Sequence, residues 1–448
     1  MKDDHGILIG PDDKISNTQA GLLGLQHVLA MDVYVPPIVL AGAVAMGSEA
    51  TSGLLQSTFL AAGIGTILQT WFFMKMPVSQ GPSFVPLGAA AGIILGAGSL
   101  NGGMANLIGA SLIGALILIL LGITGVFHKI ISALVPALVG GTIITCVGLS
   151  LIPTALNSNI FQASGNVNQN ILLAAVTATT LLISVMISMR FPKLQRIFKT
   201  SSIILALLVG SSLAAVMGRF DWQAVAKAPW VSLPNQTVFH YGIHFSIPAI
   251  LTFVLIYAIL TTETTGTWFA MGAVINRDIS KKQWNQGIIG EGVSCLIAAL
   301  VGTTPVTGYS TNAGVISITG IASKRVFIGA GIWFILLGFC SKISAFLAAI
   351  PAAVIGGVFA IICVIIMLNG LNVIRSLDTS EGDLYVIGIP IILTLALVLL
   401  PAKVLAETPQ TVQYLLGSPI AVAAIAAILL NLMMPKRTRV DKLAEEKI

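Results

Sequence analysis

The sequence predicts an all-α, polytopic membrane protein of 14 transmembrane segments, through its composition, the length of its apolar runs and the placement of its basic residues. Hydrophobic residues make up 56% of the 448-residue chain and charged residues 9%, a mix that excludes a soluble globular domain and makes lipid the solvent. Apolar runs follow one another, each near the ~20 residues that cross a hydrocarbon layer.

Long spans are expected in the first half at residues 21–46, 50–73, 103–125, 130–151, 171–189 and 202–217. In the second half they fall at 246–270, 287–302, 326–348, 351–373, 384–400 and 418–434. Shorter segments at 84–98 and 312–321 complete the set. An even count puts both termini on one side of the bilayer. With the termini inside, Arg190/Lys193/Arg196/Lys199, Arg277/Lys281/Lys282, Lys324/Arg325 and Lys436/Arg437/Arg439 all become cytoplasmic, and only Arg219, Lys227, Lys342 and Lys403 fall outside. The expected location is therefore the inner (plasma) membrane, with both termini cytoplasmic. The polar stretch 1–17 followed by a long apolar run reads as a signal anchor, not a cleaved leader.

Residues 131–141 and 343–357 echo each other around Pro136 and Pro351, nearly half a chain apart. A shift of seven spans is odd, so matching elements enter the membrane in opposite directions, and the expectation is two inverted repeats of seven. Each half contains one short, broken segment. The first carries Pro77, Gly81, Pro82 and Pro86, which are incompatible with a continuous helix, so an extended stretch should lead into a helix from Phe84. The second, with Pro305 and Gly308, should be extended and then helical from Asn312. Half-helix N-termini meeting at midplane present free N–H groups suited to the carbonyl oxygens of a polar, planar solute. Gly88, Gly92 and Gly96 read as a close-approach stripe on the first half-helix.

Ionisable residues inside a bilayer are costly and are usually kept for function; His27, Asp32, Glu263 and Glu291 qualify. Glu263 stands among Thr261, Thr262, Thr264, Thr265 and Thr267, beside Trp268, and is the first candidate to take a proton or to accept a hydrogen bond from a substrate N–H. His27 either orients Glu263 or a neighbouring helix, or touches substrate directly. A little over one helical turn separates His27 from Asp32, so the two can pair with each other. Glu291 is expected near the cytoplasmic end of its span, reaching the interface.

Other function classes fit poorly. His240 and His244 have no glutamate between them and no acidic third ligand nearby, so no metal is expected. Cys146, Cys295, Cys340 and Cys363 stand singly in apolar runs and read as small core residues. There is no phosphate-binding loop, and the loops are too short for an ATPase domain, so energy must come from a gradient. The net charge of +6 is explained by topology, not by nucleic acid. No cofactor is expected.

The segments Gln26-His27-Val-Leu-Ala-Met31, Gln80-Gly-Pro-Ser-Phe84, Glu263-Thr-Thr-Gly266 and Asn312-Ala-Gly314-Val-Ile-Ser-Ile-Thr319-Gly320 resemble, in order and spacing, the nucleobase-ascorbate transporter family, which includes uracil/xanthine permeases. Asn312, Gly314, Thr319 and Gly320 match its signature. The resemblance implies a core domain (residues 1–128 and 245–349) and a gate domain (129–244 and 350–448) with a nucleobase between them. It implies that Glu263 bonds the base's N–H edge, that Phe84 offers its ring and backbone N–H, and that Tyr309 and Ser310 line the facing strand. Ser83, Thr267, Thr311, Asn312 and His27 complete the expected substrate-binding set, with Glu263 and His27 coupling protons. Members are typically homodimers, and bacterial ones are proton symporters.

Two positions depart from the pattern. Thr311 stands where a longer amide or carboxylate is usual, and Thr267 where Asp or His often stands; both shorten the polar reach. A purine such as xanthine or urate is the expected substrate, with uracil as the alternative. An anion transporter of the same architecture is disfavoured by Glu263 and by the absence of Lys or Arg from both short segments.

Overall fold

The computed structural model describes residues 7–127, 129, 134–192, 194–235, 237–309, 311–375, 377–400, 404, 416 and 419–434. The first expected span is two helices, α1 (Asn17–Ala30) and α2 (Val35–Ala43). Ser16 opens α1 with a capping box to Gln19. Pro36 and Pro37 lack the N–H that a helix interior needs, so they start α2 afresh and leave residues 31–34 unwound. The continuous span expected over 21–46 is corrected accordingly.

Next come α3 (Ser48–Ile67), running into a π-turn at Leu68–Phe72, the strand β1 (Gln80–Pro82), and α4 (Leu87–Gly96). After α5 (Leu100–Thr124) the chain reaches α6 (Ala137–Pro153), which begins directly after Pro136; the expected start at residue 130 lies outside the described residues. A π-helical stretch, Thr154–Phe161, leads to α7 (Val167–Arg190) and α8 (Gln195–Val216). Two short helices, α9 (Trp222–Lys227) and α10 (Val238–Tyr241), precede the second half.

That half contains α11 (Ile247–Val274), α12 (Lys281–Leu300), the strand β2 (Val306–Gly308) and α13 (Thr311–Thr319). α14 (Lys324–Phe339) and α15 (Ser341–Ala348) meet at 77°, so the span expected over 326–348 is bent. α16 (Ala352–Arg375), α17 (Glu381–Val398) and α18 (Pro419–Met433) follow. Among the described residues, seven helices are long and apolar enough to cross a membrane, eight if the bent pair is one span. The expected 14 counts shorter helices such as α4 and α18 as well.

The two broken segments are extended and then helical, as their prolines require. β1 and β2 pair antiparallel, with Gln80 opposite Gly308, Gly81 opposite Thr307 and Pro82 opposite Val306. Flanking bonds lengthen the ladder, from Ser83 N to Pro305 O (3.1 Å) and from Tyr309 N to Ser79 O (3.0 Å). Each extended stretch thus satisfies the other inside the protein, the condition for non-helical backbone at membrane depth. α4 starts at Leu87 rather than Phe84, because Pro86 disfavours helical backbone at the residue before it. α13 starts at Thr311, one residue ahead of Asn312.

Helix packing recurs in matched pairs: α3 on α14 with α5 on α12, α1 on α14 with α5 on α11, and α7 on α8 with α17 on α18. α6 packs on α16, its counterpart across the echo around Pro136 and Pro351. Glycine allows the closest of these approaches: a Cβ at Gly24 would lie 2.5 Å from Ala330 N, and one at Gly329 would lie 2.5 Å from Ala20 O. The stripe expected on α4 behaves differently. Nothing lies within 4 Å of a Cβ at Gly88 or Gly92, so these glycines do not mediate a close helix contact.

Residues 8–13 form a strap. Ile9 bridges to Ile321, Ala322 N donates to Ile9 O at 2.8 Å, and Asp12 pairs with Lys324 (2.6 Å) and Arg277 (3.0 Å). The hydrogen bond from Lys324, aided by Arg277, holds the Asp12 carboxyl below the usual carboxylate range.

Candidate functional site

A cavity of about 600 Å³ opens among α6, α8, α11 and α16, the α1–α2 break and the lead into α4. One wall comes from the α1–α2 break, the lead into α4, the middle of α11 and the end of β2, and presents Asp32, Phe84, Glu263, Thr267 and Tyr309. The facing wall, from α6, α8 and α16, is mainly isoleucine, and Asn369 is its one polar member among the described residues. The volume falls in the range of pockets for small molecules.

Glu263 is half-buried, and its Oε2 accepts a hydrogen bond from Ser83 Oγ at 2.6 Å. Ser83 Oγ in turn accepts from Val85 N at 3.0 Å, so the backbone leading into the first half-helix is linked through a hydroxyl to the carboxylate on α11. Phe84 stacks on Phe359 of α16, with ring centroids 5.7 Å apart and planes 17° from parallel, so an aromatic pair spans the two walls. Thr267 donates to Gly308 O at 3.0 Å, which fixes α11 against β2 and leaves its hydroxyl only as an acceptor toward the cavity. Tyr309 donates to Pro82 O at 3.3 Å and lies against the Asp32 carboxylate.

The remaining expected site residues sit behind this wall. His27 Nδ1 lies 2.9 Å from Asn312 Oδ1, and the Asn312 amide donates to Ser79 Oγ and to Met31 Sδ (3.1 Å). The His27 ring also packs on Phe327, 4.6 Å between centroids. His27 and Asn312 therefore join α1 to the start of α13 and do not line the cavity. Ser310 and the Thr311 side chain lie outside the described residues.

Sequence reasoning misplaced two acids. Glu291, expected at the interface, is 0% exposed. Its Oε2 accepts from Gln80 Nε2 at 2.9 Å, and its Oε1 accepts from Thr264, which also bonds Thr307 (2.5 Å) and accepts from Gly308 N (3.2 Å). The capping box of Ser280 and Gln283 starts α12 six residues before the expected 287, which carries Glu291 deep into the fold. Asp32 does not pair with His27; it lines the cavity. Asn369 was overlooked, although Ile362, Ile366, Asn369 and Val373 recur at helical spacing on one cavity-facing stripe of α16.

No Lys, Arg or His lines the cavity among the described residues. His240 packs edge-on against Tyr241, and His244 bonds Asn106 at 2.5 Å, so the two histidines have separate partners.

Residues 18–403 match the model of a permease family, Xan_ur_permease. The chain is 29% identical over 444 residues to the uric acid permease PucK of Bacillus subtilis, covering 96% of each chain. It is 27% identical over 432 residues to the xanthine permease of the same organism, covering 95% of each. The transmembrane domain of the cyanobacterial bicarbonate transporter BicA has a similar structure, with a TM-score of 0.56 and 15% identity over 95% of this chain and 100% of that one. At that identity the likeness concerns the fold alone.

Proposed function

The chain belongs to this permease family, and from that membership we propose that it is a secondary active transporter importing a nucleobase of the purine type, with protons, across the plasma membrane. The observation that carries the reading is Glu263, held by Ser83 at 2.6 Å and opening onto a cavity that Phe84 also lines. A carboxylate beside an aromatic face, with strand and half-helix backbone around it, can accept the N–H edge of a planar base while the ring stacks. The same carboxylate can carry a proton, which supports symport. The named substrates of PucK and the xanthine permease, uric acid and xanthine, are of this class.

The packing supports a core of residues 1–128 and 245–349 against a gate of 129–244 and 350–448. The Glu263 wall is built from the first group and the isoleucine wall from the second. Matched helix pairs and antiparallel β1 and β2 support two inverted repeats of seven segments, with both termini cytoplasmic. In this reading the core moves against the gate around the bound base. A homodimer, the usual state in the family the sequence resembles, belongs to the same proposal.

An anion transporter on the same fold is the weaker alternative, because the cavity holds two carboxylates and no lining cation among the described residues. Uptake of labelled uracil, xanthine, urate, guanine and hypoxanthine by bacteria lacking their own base permeases tests the proposal. Accumulation of at least one base is expected; accumulation of none, with the protein present in the membrane, would contradict it.

A further inference from the structure

The α1–α2 break places a second acid in the cavity. Met31 (1% exposed) and Val33 (0%) are buried on either side of Asp32, which is half-buried and lines the cavity itself. The turn is fixed by Val35 N donating to Asp32 O at 2.8 Å and by Pro36 and Pro37. His27, the partner that the sequence suggested for Asp32, is bonded to Asn312. Asp32, Tyr309 and Glu263 line one wall of the same cavity, so the two acids belong to one site.

Resting on the transporter reading, we infer that Asp32 is a second substrate-binding acceptor, and that the pair Asp32 and Glu263 selects an uncharged purine bearing an exocyclic amine over an anionic oxopurine. The Thr311 hydroxyl is too short for a two-point polar contact, and Asp32 adds a second carboxylate on the wall that holds Glu263. Ionised carboxylates only accept hydrogen bonds, so two of them favour a ligand with donors on two edges. Guanine offers N1–H and its amine in parallel on one edge, a match for a carboxylate, and an imidazole N–H on the other. Uric acid is largely a monoanion at neutral pH. It would bring like charge to a wall whose described lining contains no cation.

The test is competition against uptake of labelled xanthine in bacteria lacking their own base permeases, with the amount of protein in the membrane measured. For the wild type, unlabelled guanine should compete at concentrations about tenfold below those of urate. Asp32→Asn should narrow that gap by about tenfold, the loss of one charge-assisted hydrogen bond, and Asp32→Glu should preserve it. Urate competing as well as guanine in the wild type overturns the inference, and so does a ratio unchanged by Asp32→Asn. Should that variant fail to reach the membrane, the wild-type ratio decides alone. If neither xanthine nor guanine, each supplied labelled, is taken up while another of the five bases is, the inference fails and the transporter reading stands; if none of the five is taken up, the transporter reading itself fails.

Discussion

The hydroxyl of Ser83 donates to the carboxylate of Glu263 at 2.6 Å, joining two residues that lie 180 apart in sequence. This bond couples the lead of the first half-helix to the middle of α11 and aims the carboxylate into the cavity. Ser83→Ala removes the donor and frees Val85 N from its acceptor, so substrate affinity should fall about tenfold, a hydrogen bond to a charged group being worth ~1.5–3 kcal/mol before partial exposure reduces it. Ser83→Thr, which keeps the hydroxyl, should restore most of it. Michaelis constants for uptake check this, and equal values for Ala and wild type would show that the bond does not position Glu263.

Glu291 should prove as sensitive as a surface anchor would be insensitive. In Glu291→Gln the amide can satisfy the Gln80 amide only by turning its oxygen toward it, which points its NH2 at Thr264, already committed to Gly308 N and Thr307. One mismatched buried pair costs ~1–3 kcal/mol, so the variant should melt several degrees lower in detergent and transport more slowly. A melting curve superimposable on that of the wild type would return Glu291 to a peripheral role.

Gly81 is needed for space. A Cβ there would lie 2.6 Å from the Tyr309 ring. Gly81→Ala should therefore push Tyr309 toward the cavity at a cost of ~1–3 kcal/mol and reduce base uptake more than it reduces the amount of protein in the membrane. Full uptake by this variant would mean that the β1 and β2 pair yields freely.

Asp12 gives the strap a pH dependence whose sign is fixed. Its folded-state carboxyl lies below the usual range, chiefly through Lys324, so the stabilisation is present above the unfolded value, about 3.9, and is lost as pH falls through the folded one. Protection of the amides of residues 8–13 against exchange, taken relative to the intrinsic rate at each pH, should be high at neutral pH, lower in acid, and low at both in Asp12→Asn. The effect should be modest, because both ion pairs are partly exposed. Exchange that ignores both pH and the substitution would remove Asp12 from the strap.

Much of this site was legible because lipid is an unforgiving solvent. Pro77, Pro82 and Pro86 in one apolar stretch, and Pro305 with Gly308 in the other, announced extended backbone that had to pair with something. Glu263 stood out as a charge among threonines. The unwinding at residues 31–34 was hidden, because Met31, Val33 and Val35 keep the run apolar whether or not it is helical, and with it went the role of Asp32. The depth of Glu291 depended on where α12 starts, a capping matter that a hydropathy boundary does not register. α4 and α13, with 10 and 9 residues, are too short for length to establish as spans, so the expected count rested on charge placement.

The most direct measurement is uptake of a labelled purine base by purified protein in vesicles under an imposed inward proton gradient, comparing wild type with Glu263→Gln. The substitution keeps the volume but cannot titrate, and it turns an NH2 donor toward the base N–H or toward Ser83. The wild type should accumulate the base and lose the gain when a protonophore collapses the gradient. The variant should bind about ten- to a hundredfold more weakly, the loss of ~1.5–3 kcal/mol, and should not respond to the gradient. Accumulation by Glu263→Gln at the wild-type rate and with the same dependence on the gradient would contradict the account at its centre.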